Sequence, residues 1–346
     1  MNRFAIALGL VATCALVACG VPTPPAATPA PASAPTQPAL ANLTFQLNWI
    51  PNVQHFGPVY ADQQGLYRAA GLNVKVQAGG QGIDGLQMVA AGAADVAVSS
   101  ATTIYVANEH GLDVVGFAAV YQKSASALVC RGDRGISTFK DITGKTVGSK
   151  GPGDLDTLPA LLGKNGVEYA SVKVTPIGPS SITEIIAGLV DCQLAFAVNE
   201  PITMRKAGIT PVVFNLADYG YGGQGEVYIT RQSYLKEHRD VLVRFLQATT
   251  KAWATYLDDP QAAAQWIVDS RIVDGLDVEQ QKAQAVEQAG LIADAFSKQH
   301  GLMALNPDLW REQAHQAMTA GRITQPPDFL RASTTKILDA AALPKR

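Results

Sequence analysis

The sequence predicts an α/β protein built as two lobes. Strand-like apolar runs alternate with helical patterns through the middle of the chain. Its 346 residues, 47% hydrophobic and 16% charged, suffice for one large core or two medium ones. The formal charge of −2, with no clustered basic stretch, gives no electrostatic footprint for nucleic acid, so no nucleic-acid partner is expected.

The first segment serves targeting rather than folding. Arg3 precedes an apolar run over 4–18 that is too short to span a bilayer comfortably and ends in small residues, as a secretory signal does. Leu16-Val17-Ala18-Cys19-Gly20 resembles the lipobox of bacterial lipoproteins. Residues 1–18 are therefore expected to be removed and Cys19 to be lipidated. An ordinary signal peptide is the alternative, and a cysteine at the small-residue site favours the lipoprotein. Residues 21–40 are almost entirely Pro, Ala, Thr and Ser, which cannot bury a core. The stretch 19–41 reads as an extended tether, and at about 3.1 Å per residue it reaches up to roughly 60 Å from a membrane.

Lobe one is expected over 42–123 and 224–346. Phe45, Leu47 and Trp49 alternate with Gln46 and Asn48, the period of a half-buried strand, until Pro51 ends the ladder. A helix over 53–67 follows, so Trp49, Asn52, Gln54, His55 and Phe56 gather at a strand end, where open α/β sheets bind ligands. Residues 72–77 are a second strand. After the flexible turn carrying Gln81 come a helix over 84–91 that Asp84 can cap and a third strand over 95–98. Ser99 and Ser100 open the next helix, either capping it or offering hydroxyls and free N–H groups to a ligand. A strand over 113–121 ends at Tyr121, and Gln122 leads out of the lobe.

Lobe two, 124–223, repeats the alternation: strands over 128–131, 145–147, 172–176 and 193–198, with helices over 154–163 and 181–188. The loop 148–153 lacks the G-x-x-x-x-G-K-[ST] spacing, so phosphate cradling is not expected. Asn199, Glu200 and Pro201 start a helix. Glu200 either serves the helix start or points into a cleft as an acceptor of N–H donors. Tyr219 and Tyr221 stand in a run too glycine-rich for a helix or central strand, read as a loop or crossover over 219–226. From 227 the pattern is helical to the end, with Trp253, Trp266 and Trp310 as core residues.

Enzyme and metal signatures are missing. The five histidines show no metal spacing, and there is no G-x-S-x-G and no C-x-x-C. Neither a cofactor nor a metal is expected. Cys130 and Cys192 lie in apolar runs; export permits a disulfide, and two buried thiols fit equally well.

The runs W-I-P-N-V-Q-H-F-G-P-V-Y, D-G-L-Q-M-V-A-A-G-A-A-D-V-A-V, A-V-Y-Q-K-S, G-K-T-V-G and N-E-P resemble the thiamin-pyrimidine and riboflavin solute-binding proteins of ABC importers (NMT1/THI5-like) over roughly 43–259. The resemblance implies a type II periplasmic-binding-protein fold, with a ligand cleft between lobes joined by crossings near 121–126 and 219–223. Fungal enzymes of the same fold make the thiamin pyrimidine, using a lysine and a histidine near 99–103 and a cysteine-rich run near 219–228. Here those positions hold Ser, Ser, Ala, Thr and Thr, then Tyr and Gly residues, so the resemblance implies binding and not catalysis.

The implied protein is an extracytoplasmic, lipid-anchored binding protein partnered with a membrane permease. Its expected ligand-binding set is Asn48, Trp49, Asn52, His55, Phe56 and Tyr60 from the first corner, with Gln81, Ser99, Ser100, Tyr121 and Gln122. From lobe two come Asn199, Glu200, Tyr219 and Tyr221. Aromatic and carboxylate groups suit a flat, neutral heterocycle, riboflavin first, then a thiamin pyrimidine precursor. A sulfonate would want cationic or N–H-rich contacts.

Overall fold

The structure is a computed structural model that describes residues 39–178 and 182–346; the expected signal segment, Cys19 and the tether up to residue 38 lie outside the described residues. The strands are Ala41–Gln46 (β1), Leu72–Gln77 (β2), Val96–Ser99 (β3), Val114–Tyr121 (β4), Ser126–Arg131 (β5) and Thr146–Ser149 (β6). Lys173–Pro176 (β7), Cys192–Phe196 (β8), Pro211–Asn215 (β9) and Gly225–Arg231 (β10) complete the set among the described residues. They form two five-stranded sheets, ordered β2-β1-β3-β10-β4 and β7-β6-β8-β5-β9.

The two sheets follow one plan. In the first, β1 runs parallel to β2 and β3 while β10 is antiparallel to β3 and β4. In the second, β6 runs parallel to β7 and β8 while β5 is antiparallel to β8 and β9. Each antiparallel strand stands next to a passage between sheets: the chain leaves the first sheet through 122–125 and returns through 216–224. The edge of β4 is covered, because Ala119 N–H donates to Met303 O and Thr334 N–H to Gly116 O. That cover explains how every residue of an edge strand, V-V-G-F-A-A-V-Y, is buried.

Several elements differ from the sequence pattern. The first strand ends at Gln46 rather than Trp49. Leu47 N–H still reaches Gln77 O at 3.0 Å, but Asn48 and Trp49 turn away, and Trp49 O instead accepts from Gly79 N–H. The helix expected over 53–67 divides into a 3-10 turn, Val53–His55, and helices Phe56–Gln63 and Leu66–Ala69. The stretch expected to be helical from 227 begins with β10, a strand buried on both faces and paired on both sides; such a short apolar run has no helical or alternating signature of its own. The long helix 278–300 is two, Val278–Ile292 and Ala295–His300, separated where Asp294 forms a capping box with Ser297. Residues 211–215, singled out by no sequence pattern, form β9.

Lobe one packs Phe45, Tyr228, Phe245 and Tyr67 in contact, with Phe45–Tyr228 centroids 4.9 Å apart and Tyr67–Phe245 5.3 Å. The helix Phe56–Gln63 lies on the helix Arg239–Asp258 so closely that a Cβ on Gly57 would come 2.3 Å from Trp253 Nε1. Trp253 and Trp310 are buried core residues, as expected, and Trp266 is half-buried against the same core. Lobe two closes over Leu128, Phe139, Val147, Leu158 and Phe214. Cys130 and Cys192, left open between thiols and a disulfide, are bonded to each other as facing residues of β5 and β8.

Candidate functional site

Between the two sheets lies a cavity of about 600 Å³, within the size range of small-molecule sites. Both lobes line it. Lobe one contributes Asn48 past the end of β1, Ser99 at the end of β3, Ser100 and Thr103 at the start of the helix Ala101–Glu109, and Tyr121 at the end of β4. Lobe two contributes Ser126, Lys150, Asp154, Phe196, Glu200 and Tyr221.

The lobe-two wall is organised by Glu200, the first residue of the helix Glu200–Lys206. Its Oε2 accepts from Phe196 N–H at 2.9 Å, closing the end of β8, and its Oε1 meets Lys150 Nζ at 3.3 Å. The carboxylate therefore both supports the strand-to-helix turn and faces the cavity. Asp154 accepts from Lys150 N–H at 2.7 Å, and burial raises its carboxyl pKa against that bond.

On the lobe-one wall stands Glu226, which sequence reading placed in a loop. It is 7% exposed and sits at φ 50°, a conformation that non-glycine residues rarely hold. Asn48 Nδ2 donates to its Oε1 at 3.1 Å and its Oε2 at 3.3 Å, and Gln54 Nε2 donates to Oε1 at 3.1 Å. Burial outweighs those bonds and pushes the carboxyl up to about 7. Asn48 Oδ1 lies 2.7 Å from His55 Nε2. With Asn48 donating to Glu226, that oxygen is an acceptor and the imidazole carries its proton on Nε2. Burial lowers the His55 pKa to about 3, so the ring is neutral.

Ser100 caps its helix, accepting from Thr103 N–H at 3.2 Å, and also lines the cavity. Tyr121 lines the cavity with its ring while its hydroxyl donates to Gln288 at 2.9 Å; burial pushes that phenol well above its ordinary value.

Others of the expected set lie elsewhere. Trp49 is half-buried and does not line the cavity; its backbone turns to accept from Gly79 N–H. Phe56 and Tyr60 stack on each other at 4.8 Å and meet Trp266 at 5.7 and 4.8 Å, inside the core. Asn52 caps the turn at Gln54 N–H, and His55 acts only through Asn48. Gln81 is exposed. Gln122 is taken up by Ala119 O and Gln224, Asn199 accepts from Gln280, and Tyr219 packs 4.8 Å from Phe139. The sequence reading missed Glu226, Lys150, Asp154 and a third group, Gln313, Gln316 and Arg322, on and after the helix Pro307–Thr319. For Glu226 the available signal was a charged residue opening the apolar run V-Y-I; for Gln313 and Gln316, polar residues one turn apart on one helix face.

Among the described residues no cluster of three or more His, Cys, Asp or Glu could hold a metal ion, and no helix is long and apolar enough to cross a membrane.

Two α/β lobes, each with one reversed strand, crossed twice by the chain and enclosing a cavity, are the architecture of a periplasmic binding protein. The chain belongs to the NMT1/THI5-like family, whose profile matches residues 52–263. Riboflavin-binding protein RibY of Chloroflexus aurantiacus is 28% identical, over 98% of each chain. The formylaminopyrimidine-binding protein of Halalkalibacterium halodurans is 26% identical over 65% of this chain and 69% of its own. The 4-amino-5-hydroxymethyl-2-methylpyrimidine phosphate synthase of Legionella pneumophila is 24% identical over 67% and 74%. Among solved structures, a Bordetella bronchiseptica protein superposes with TM-score 0.65 at 16% identity, covering 87% of this chain and 96% of that one. The Escherichia coli aliphatic sulphonate binding protein SsuA gives 0.62 at 15%, covering 85% and 92%.

Proposed function

We propose that this protein is an extracytoplasmic solute-binding lipoprotein of an ABC importer, which captures riboflavin or a closely similar flat heterocycle and delivers it to a membrane permease. The observation that carries the reading is the cavity walled by both lobes, which we assign to 42–123 with 224–346 and to 124–223. Tyr121, Phe196 and Tyr221 provide aromatic surface there, and Glu200 provides an acceptor. RibY, similar along nearly its whole length, supports riboflavin as the cargo. A second reading, a thiamin pyrimidine precursor, is supported by the formylaminopyrimidine-binding relative. We read the chain as a binding protein rather than a synthase, since 99–103 holds no lysine and 219–228 no cysteine.

Titrating the purified full-length protein with riboflavin, following quenching of flavin emission, tests the cargo. Saturable quenching is expected. Stabilisation by 4-amino-5-hydroxymethyl-2-methylpyrimidine and not by riboflavin would shift the reading to the precursor, and a chemical product would restore the enzyme. For the anchor, Cys19→Ser should abolish palmitate incorporation and release the protein from membranes; full membrane retention would refute lipidation at that residue.

A further inference from the structure

Two buried side chains on one wall of the cavity carry incompletely satisfied acceptors. Glu226 Oε1 receives both 3.1 Å bonds, while Oε2 has only the 3.3 Å share of Asn48's amide. Gln313, 7% exposed, lines the same cavity with an Oε1 that has no hydrogen-bond partner; its Nε2 reaches Gln224 O at 3.5 Å. Its position is set by Gly223, where a Cβ would fall 1.9 Å from Gln313 Cδ. Buried acceptors left without donors are rare in native proteins, and each asks for an explanation. Both residues line the cavity, Glu226 at the end of the segment 223–226 and Gln313 packed against its start at Gly223.

We infer that this wall is an acceptor subsite, in which Glu226 Oε2 and Gln313 Oε1 take O–H or N–H donors from the ligand, so that the cavity selects a neutral, donor-rich molecule over an anion. The inference rests on the solute-binding reading and deepens it, because a polyhydroxyl chain or an amino-substituted ring edge would both supply such donors. Gln54 and the Asn48–His55 pair hold the carboxylate, and are positioning residues. The titratable groups facing Glu226 are the Tyr121 and Tyr228 phenols, both raised partly by its charge, and His55 through Asn48. Elsewhere around the cavity Lys150 is paired with Glu200, Asp154 accepts from the Lys150 backbone, and Arg322 has interactions of its own within the fold. An anion would meet the Glu226 charge directly. Because burial holds the Glu226 proton up to about 7, donor binding to the carboxylate should strengthen as pH rises through that value.

Calorimetry on the full-length protein tests this with riboflavin, lumiflavin (the same ring without its polyol), 4-amino-5-hydroxymethyl-2-methylpyrimidine and ethanesulfonate, at pH 6, 7 and 8. Wild-type affinity for riboflavin should rise about tenfold from pH 6 to pH 8. In Glu226→Gln it should be flat and, at pH 8, about tenfold to a hundredfold weaker. Gln313→Met should weaken riboflavin severalfold at every pH and keep the wild-type slope; lumiflavin should be indifferent to both variants where the polyol supplies the donors, and should follow riboflavin where the ring-edge N–H does. Thermal melts of each variant exclude misfolding as the cause. Equal riboflavin affinity and slope in wild type and Glu226→Gln would overturn the subsite and leave the riboflavin reading intact. Binding of the aminopyrimidine alone, with the same Glu226 dependence, would keep the subsite and end the riboflavin reading. Ethanesulfonate binding to the wild type that is unchanged in Glu226→Gln, while riboflavin fails, would overturn both, as would no binding of any probe to the wild type.

Discussion

Glu226 and His55, on either side of Asn48, titrate in opposite senses. The folded Glu226 keeps its proton to about 7 against an ordinary 4.5, so from pH 4.5 to 7 the folded state holds one proton more and stability falls as pH rises. Folded His55 stays neutral down to about 3 against an ordinary 6.5, so from pH 3 to 6.5 the unfolded state holds one proton more and stability rises with pH. Each slope is about 1.4 kcal/mol per pH unit, and between pH 4.5 and 6.5 they cancel. Glu226→Gln removes one of them. Compared with wild type, its unfolding free energy should climb by about 3 kcal/mol more between pH 4.5 and 6.5. Urea denaturation at both values checks this, and parallel curves for the two proteins would refute it. At this scale the sequence pointed to residues that line the cavity where they stand at strand ends, as at Asn48, Ser99, Ser100, Tyr121 and Glu200. Trp49, Phe56 and Tyr60 do not line it, because strand alternation runs on past Gln46 and a ring suited to stacking on a ligand stacks equally well against a core.

Elements meet tightly where the helix Phe56–Gln63 crosses the helix Arg239–Asp258. Gly57 lets the Trp253 indole lie against the backbone, and Trp253 is fully buried. Gly57→Ala should therefore destabilise the protein by about 1–3 kcal/mol, although alanine is the better helix former. A denaturation midpoint at or above wild type would contradict the close packing. Apart from β9, the parallel strands of both lobes were legible because turn residues punctuate apolar runs of suitable length. β10 was not, since glycines precede it and helical sequence follows it, and its partners β3 and β4 lie more than a hundred residues earlier. The Cys130–Cys192 pairing was equally hidden: only the register of β5 on β8, a tertiary fact, brings the two sulfurs together.

At the scale of the molecule, two passages join the lobes and are tied to each other. Ser124 N–H donates to Gly223 O at 2.7 Å, Gln224 Nε2 to Gln122 Oε1 at 2.7 Å, and Lys123 pairs with Asp218 at 2.6 Å, an exposed contact of little energetic weight. Two short passages of this kind form a natural hinge, so saturating ligand should reduce the radius of gyration in solution scattering; an unchanged radius would mean a rigid cavity. Two lobes were legible from length and the repeated alternation, but the wall behind the hinge was not, because it comes from far along the chain. Gln224 also binds Asn306 N–H at 2.7 Å and Trp310 Nε1 at 3.2 Å, which fastens the helix carrying Gln313 and Gln316 to the return passage. That helix lies beyond residue 263, outside the stretch that matches the family profile. A change of side chain at Gln313 or Gln316 would thus reshape the cavity wall from a helix that belongs to neither sheet.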